Sequence, residues 1–161
     1  MYYGLTSLGV FHTLVSLLAV ATGALALIRD KKITWDNGIG KIYIISTIIV
    51  CLTGFGIFQH GGFGKPHVLG IIMLITLAVA FMARNKSFGK RSIYIETVSF
   101  STTFFFHIVP GITETATRVP LSAPLASSPE DSNIQMAIGI SFIVFIIGAI
   151  LQVMSLRKQT Q

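Results

Sequence analysis

The chain has 161 residues, about one domain's length, of which 52% are hydrophobic and only 11% charged; a soluble domain carries roughly 25% charged residues. A water-soluble fold of this size has no interior large enough to hide so much apolar side chain, so composition excludes that class. The formal charge of +6 does not point to nucleic acid, because the cations fall in short clusters between apolar runs and not in one stripe interleaved with aromatics.

Apolar runs recur along the chain, several long enough to cross a ~30 Å hydrocarbon core, which takes roughly 20 helical residues. Inside a bilayer only a helix satisfies its own backbone, so each run is expected to be a helix. The first covers about 5–28 and ends at RDKK. Its first basic residue, Arg29, follows the apolar run, the reverse of a secretory signal, so it reads as a retained membrane helix. The second covers about 41–59, where IYIISTIIV would be a strand in water. The third, about 66–84, opens at Pro66, a favoured first helical position. The fourth is expected over about 92–111, with Pro110 near its end. An outer loop over 111–127 follows, in which Glu114 and Arg118 stand four apart and can pair on a short helical turn. The fifth is expected over about 128–156, with Ser128 as cap, Pro129 in the first turn, and Glu130 and Asp131 complementing the positive helix end. No internal repeat is visible, and the expected architecture is one all-α bundle of five transmembrane helices.

The basic residues set the expected orientation. Arg29, Lys31, Lys32 and Lys41 lie between helices one and two, Arg84, Lys86, Lys90 and Arg91 between three and four, and Arg157 and Lys158 after five. Only Lys65 and Arg118 fall on the opposite side. By the positive-inside rule the N-terminus is outside and the C-terminus cytoplasmic, in a multi-pass protein of the bacterial cytoplasmic (inner) membrane. The single cysteine, Cys51, lies inside an apolar run and reads as a small core residue, with no disulfide framework and no haem-attachment motif.

On that topology all four histidines gather toward the outer face. His60 and His67 bracket the turn HGGFGKPH between helices two and three. His12 lies roughly two turns below the outer end of helix one, and His107 about one turn below the outer end of helix four. Positions 96, 100, 103, 107, 111 and 114 share one face of helix four, so His107 is expected to point inward, as ionisable groups in transmembrane helices usually do. His12, Ser16, Ala19 and Gly23 form a stripe of small or polar residues on helix one, which places His12 inward too. Glu96 is expected to pair with Lys90 or Arg91 at the cytoplasmic end.

Imidazoles from neighbouring transmembrane helices can bind haem b, one axial histidine from each of two helices within an apolar shell. His12 and His107 are the expected pair, their depths matching within about one turn. Gly9, Ser16, Ala19 and Gly111 leave room for the ring, and electrons would pass at the outer face to a quinone or a redox partner, as in a membrane oxidoreductase. The alternative is a transition-metal ion such as zinc, copper or iron held by His60, His67, His107 and Glu114, which suits a metal-dependent hydrolase or a metal-handling protein; there Glu114 could instead act as a general base. A third reading is a non-catalytic scaffold or assembly factor.

The run FHTLVSLLAVATGALALIRDKKITWDNGIGKIYIIS, followed by GGFGKPHVLGIIMLITLAVAF, resembles an uncharacterised family of small predicted bacterial membrane proteins. Its pattern is matched by His12 in helix one, Gly23 before the basic loop, Gly40 with Tyr43 entering helix two, and Phe63, Gly64 and His67 entering helix three, this last spacing being one residue longer here. Where that family carries a histidine before the G-x-x-Y motif, this chain has Asp36 and Asn37. The family's histidine-bearing bundle is similar to membrane b-type cytochromes, so the resemblance implies haem and no settled activity.

Overall fold

A computed structural model describes residues 6–58, 62–120 and 122–159. Five long helices make up the described chain: α1 Ser7–Asp30, α2 Gly38–Gly54, α3 Lys65–Arg84, α4 Ser92–Arg118 and α5 Ser132–Gln159, with a single 3-10 turn at Gly89–Arg91 before α4. No strand occurs among the described residues. Three of the helices, α1, α3 and α5, are long and apolar enough to cross a membrane, and α2 is a shorter apolar helix. Large apolar side chains such as Leu14, Ile28 and Ile75 stand more than half exposed. An outer surface of that kind suits contact with lipid, not water.

Local chemistry sets the helix ends. Thr6 caps α1, its Oγ1 accepting from the Gly9 N–H at 3.1 Å. Asn37 caps α2 by accepting from the Gly40 N–H at 2.8 Å, satisfying a main-chain donor that the helix itself leaves unpaired. Gly40 also packs flat against the preceding loop: a Cβ there would lie 1.8 Å from the Thr34 carbonyl oxygen. The turn between α1 and α2 is thereby closed by backbone against backbone.

Five expected boundaries move by three residues or more, the first being the start of α2, at Gly38 and not near 41. α2 stops at Gly54 and not near residue 59, of which Gln59 lies outside the described residues. α4 runs through Pro110 to Arg118. Proline removes one main-chain donor, and that single loss does not end the helix here. The expected loop over 111–127 is therefore a connection over 119–131. Within the added turns Glu114 and Arg118 do form the i,i+4 ion pair that their spacing predicts. α5 begins at Ser132, not at Ser128, because Asp131 accepts from the Asn133 N–H at 2.8 Å, while Ser128 accepts from the Glu130 N–H in a local turn. It continues to Gln159, beyond the expected residue 156.

Packing follows an up-and-down bundle in which α1 lies on α2, α3 on α4, and α5 on the outside of α4. The core holds Ala19 and Ala26 of α1, Tyr43 and Ile44 of α2, Leu77 and Ala80 of α3, and Phe100 of α4, with Ile33 from the α1–α2 turn. Small residues on α1 let α2 approach closely. At Gly23 a Cβ would meet Phe104 Cδ2 at 2.6 Å and Tyr43 Cδ2 at 2.8 Å, so this glycine admits two aromatic rings to the bundle centre.

The lower end, where α1 finishes and α2 starts, is tied by ions. Arg84 of α3 bonds Asp36 at 2.5 Å and Glu96 of α4 at 3.4 Å. Glu96 thus pairs with Arg84 and not with Lys90 or Arg91, because the last turn of α3 runs beside the first turns of α4. The Arg84 guanidinium, helped by the Thr34 hydroxyl, pulls the Asp36 carboxyl down from its ordinary value to about 2. Gln152 joins α5 to this end, accepting from Ser101 at 3.0 Å and donating to the Lys31 carbonyl at 2.8 Å.

Candidate functional site

α2 and α4 run in the same direction on opposite sides of the bundle centre, and two hydrogen bonds fix their register. Tyr43 OH meets Thr103 Oγ1 at 2.8 Å, and Thr47 Oγ1 meets His107 Nε2 at 3.0 Å. Both pairs are separated by 60 residues in sequence, so one helical turn on α2 answers one turn on α4. All four side chains are buried.

Accounting for each hydroxyl proton decides who donates. Thr103 Oγ1 donates to the Phe100 carbonyl at 2.7 Å, so Tyr43 OH is the donor to Thr103. Thr47 Oγ1 donates to the Tyr43 carbonyl at 2.9 Å, so it accepts from His107 Nε2–H. Thr53 Oγ1 donates to the Ile49 carbonyl at 2.8 Å, and its 2.9 Å bond with His12 makes His12 Nδ1–H the donor. A hydroxyl has one proton to give. In their neutral forms the two imidazoles therefore keep their lone pairs on Nε2 of His12 and Nδ1 of His107.

The result is a polar column along α2, from Tyr43 with Thr103, through Thr47 with His107, to Thr53 with His12. Its upper end lies where α1 starts and α2 stops. A Cβ on Gly54 would lie 3.4 Å from His12 Cε1, so the imidazole rests over that glycine. His12 is half-buried and His107 is buried. His12 lies within electrostatic reach of His107 and of Glu114. The Tyr43 ring meets His107 edge-on at 6.0 Å and Phe104 at 6.3 Å, giving the buried imidazole an aromatic wall.

The expected depths do not match within one turn. α4 extends past Gly111, so His107 lies deeper than a helix ending at 111 would put it. The two threonine anchors are six residues apart on α2, which is about 9 Å at 1.5 Å per residue. Glu114, on the expected face of α4, is exposed and paired with Arg118. Gly111 is exposed with open space around it, so it does not line the column. Ser16 donates to the His12 carbonyl at 2.8 Å, and Gly9 and Ala19 are buried.

His67 stands apart. It opens α3, and its Nδ1 accepts from the Gly64 N–H at 3.1 Å. Its ring lies between Phe58 and Phe63, stacked at 5.1 and 5.0 Å. With Nδ1 accepting, Nε2 carries the proton in the neutral form, and Nε2 is buried without a partner. In this arrangement His67 is a helix cap that offers no lone pair to a metal. His60 lies outside the described residues. Among the described residues no three His, Cys, Asp or Glu side chains gather to hold a metal ion, so His67, His107 and Glu114 do not converge. Cys51 is free and buried, as its apolar run implies.

Two imidazoles, each oriented by a hydroxyl on one nitrogen and carrying a lone pair on the other, match in type what an iron porphyrin takes from a helical bundle. Their threonine anchors lie about 9 Å apart along α2, so the two imidazoles are held at different levels of the bundle.

Three positions of the resembling motif have structural work here: Gly23 admits Tyr43, Gly40 closes the turn, and Tyr43 anchors the foot of the column. Thr47 and Thr53 were not singled out from sequence. Their signal is positional, since α2 carries hydroxyls opposite the histidines of two other helices. No family model, characterised protein or solved structure matches this chain.

Proposed function

We propose that this chain is a multi-pass protein of the bacterial cytoplasmic membrane in which all five helices span the bilayer, with the N-terminus outside and the C-terminus inside. In that frame the upper end of the polar column faces outward. His12 and His107 serve as the protein ligands of a redox cofactor, haem b, for electron transfer with a quinone or a protein partner at the outer face. The observation that carries this reading is the pair of imidazoles held in one column by Thr53 and Thr47 within electrostatic reach of each other. The resemblance to a histidine-bearing family similar to b-type cytochromes points the same way.

Haem supplies a one-electron carrier when bound. The chain's own contribution is orientation and exclusion of water. Whichever of Thr53 and Thr47 keeps its bond selects which nitrogen of that imidazole bears the proton, as outer-sphere partners do for ligating histidines. Tyr43 and Phe104 exclude water from the lower imidazole, while the half-buried His12 stands nearer the surface where a redox partner docks. The stagger sets the demand on this reading: both imidazoles reach one iron only when one of them turns away from its threonine.

The electrostatic proximity of His12 and Glu114 favours a second reading, a transition-metal ion at the mouth of the column. His12 and Glu114 are within electrostatic reach there, and imidazole with carboxylate suits zinc, copper or iron. That reading belongs to a metal-handling or hydrolytic protein.

Purification in detergent, followed by haem extraction and elemental analysis, separates these readings. Haem in stoichiometric amount, lost in His12→Ala and in His107→Ala, supports the first. Stoichiometric metal without haem, lost in His12→Ala and Glu114→Gln, supports the second. A protein with neither, whose histidine variants fold normally, makes the column a set of structural pins in a membrane scaffold. Orientation is tested by cysteines at Ser127 and Lys86, of which only the first should react with an impermeant thiol reagent from outside.

A further inference from the structure

α3 begins without the usual cap. Its N-cap residue is Gly64, which has no side chain to accept from the first turn, and Pro66 in the second helical position has no main-chain donor to offer. The side-chain bond at this end runs backward: His67, the third helical residue, accepts from the Gly64 N–H through Nδ1 at 3.1 Å. That is the place and direction in which glutamate or glutamine closes a capping box. A glutamine oxygen keeps its lone pairs near neutral pH, whereas the accepting nitrogen of an imidazole has one lone pair, and a proton takes it.

The surroundings make that proton costly. His67 is only 5% exposed, its ring is stacked between Phe58 and Phe63, and its Nε2 is buried with no acceptor. A protonated ring carries two N–H groups, one facing the Gly64 donor and one with no partner, at the positive end of a helix dipole. The phenyl faces favour a cation but supply no acceptor in the ring plane to either nitrogen. Among the described residues the charged side chains at this turn are Lys65 and, from the connection over 119–131, Glu130. These engage each other: Glu130 Oε1 accepts from Lys65 Nζ at 3.3 Å, and its Oε2 accepts from Ser128 Oγ at 3.2 Å. His60, also in this turn by sequence, lies outside the described residues. Phe58 and Phe63 are themselves exposed, so an imidazolium reaches water when the turn opens.

We propose that the bond between Gly64 and His67 is an acid-opened latch: protonation of His67 removes the acceptor, breaks the cap, and frees the α2–α3 turn with the first turn of α3. The chain just before this turn is wedged between two helices. Phe55 lies on Gly70 of α3, where a Cβ would come within 3.4 Å of its ring, and Gly56 lies against Leu8 of α1. Thr53, the anchor of His12, precedes them by two residues, so the latch stands next to the mouth of the polar column. In the proposed orientation it faces the outer medium and responds to its acidity. The latch itself depends neither on that orientation nor on any cofactor in the column.

Amide hydrogen exchange of the full chain in detergent tests it, read by mass spectrometry over residues 62–70 and corrected for the intrinsic exchange rate at each pH. Between about pH 8 and about pH 5, either side of the range in which an imidazole titrates, protection of the Gly64 and Val68 amides should fall at least about fivefold in the wild type, while amides in the later turns of α3 stay protected. His67→Gln keeps an oxygen within capping reach and does not titrate, so it should show no such fall. His67→Leu has no acceptor and should show low protection at both pH values. Wild-type protection that does not change with pH, a fall of equal size in His67→Gln, or a loss spread evenly along α3 overturns the proposal.

Discussion

Replacing Thr47 by valine tests the polar column at its most buried joint. Valine keeps the shape but removes the oxygen that accepts from His107 Nε2 at 3.0 Å. His107 is only 4% exposed, so water does not replace the lost acceptor. A buried donor left unpaired costs about 1–3 kcal/mol, whereas interhelical hydrogen bonds in membrane proteins average about 0.6 and reach about 1.7 kcal/mol. The expected loss of stability is therefore about 1–2 kcal/mol. The chain carries its own reporter, because its single cysteine, Cys51, is buried and reacts with a fluorogenic maleimide only on unfolding. Thermal and denaturant unfolding of Thr47→Val, His107→Leu and the double variant give the coupling between the two positions. The double variant should cost clearly less than the sum of the singles, because removing both partners leaves no orphan. Additive losses, or a loss below about 0.3 kcal/mol in Thr47→Val, would refute the hydrogen-bond assignment on which the column rests.

Thr53→Val should cost less than Thr47→Val in the same assay, about 0.5–1 kcal/mol, since the half-buried His12 can find water in place of the hydroxyl. Gly40→Ala should be among the most damaging single-methyl changes in the chain. Its Cβ would collide with the Thr34 backbone at 1.8 Å, and failure to accumulate folded protein in membranes is the expected readout. Gly23→Ala should cost about 1–3 kcal/mol through displacement of Tyr43 and Phe104; an unchanged unfolding midpoint would contradict the close packing. At the lower end, the Asp36 carboxyl is held at about 2, below its ordinary 3.8. A depressed acid contributes its stability above the ordinary value and loses it as pH falls toward 2. Proteolysis of the α1–α2 turn should therefore rise between about pH 4 and 2 in the wild type, and Asp36→Asn should abolish that dependence.

Helix identity was legible because apolar runs and basic clusters alternate so plainly: RDKK closes α1, and Pro66 opens α3 within a residue of its observed start. Helix ends were less so. Pro110 reads as a stop, yet α4 continues to Arg118, since proline takes away a single main-chain donor and the residues on either side keep helical geometry. Ser128 and Asp131 are both good caps by type, and only the local turn in which Ser128 accepts from Glu130 assigns the cap to Asp131. The partner of Glu96 depended on which turn of α3 lies beside α4, a tertiary fact. The inward placement of His12 and His107 followed from helical periodicity, but their partners did not. Thr22, Thr76 and Thr102 donate to carbonyls four residues back, as Thr47 and Thr53 do. What sets the last two apart is an imidazole arriving from another helix, which no local pattern encodes. His67, a candidate metal ligand by sequence, caps α3 between two phenyl rings.

Joint ligation of a redox cofactor by His12 and His107 is the core of the proposed function. Its most direct test is the reduced-minus-oxidised absorbance spectrum of the full chain purified in mild detergent from cells supplied with haem precursor. The wild type should give a haem b difference spectrum that is absent from both His12→Ala and His107→Ala, while Cys51 stays protected in each variant. A flat difference spectrum from folded wild-type protein, or a haem signal that survives either histidine substitution, would contradict it.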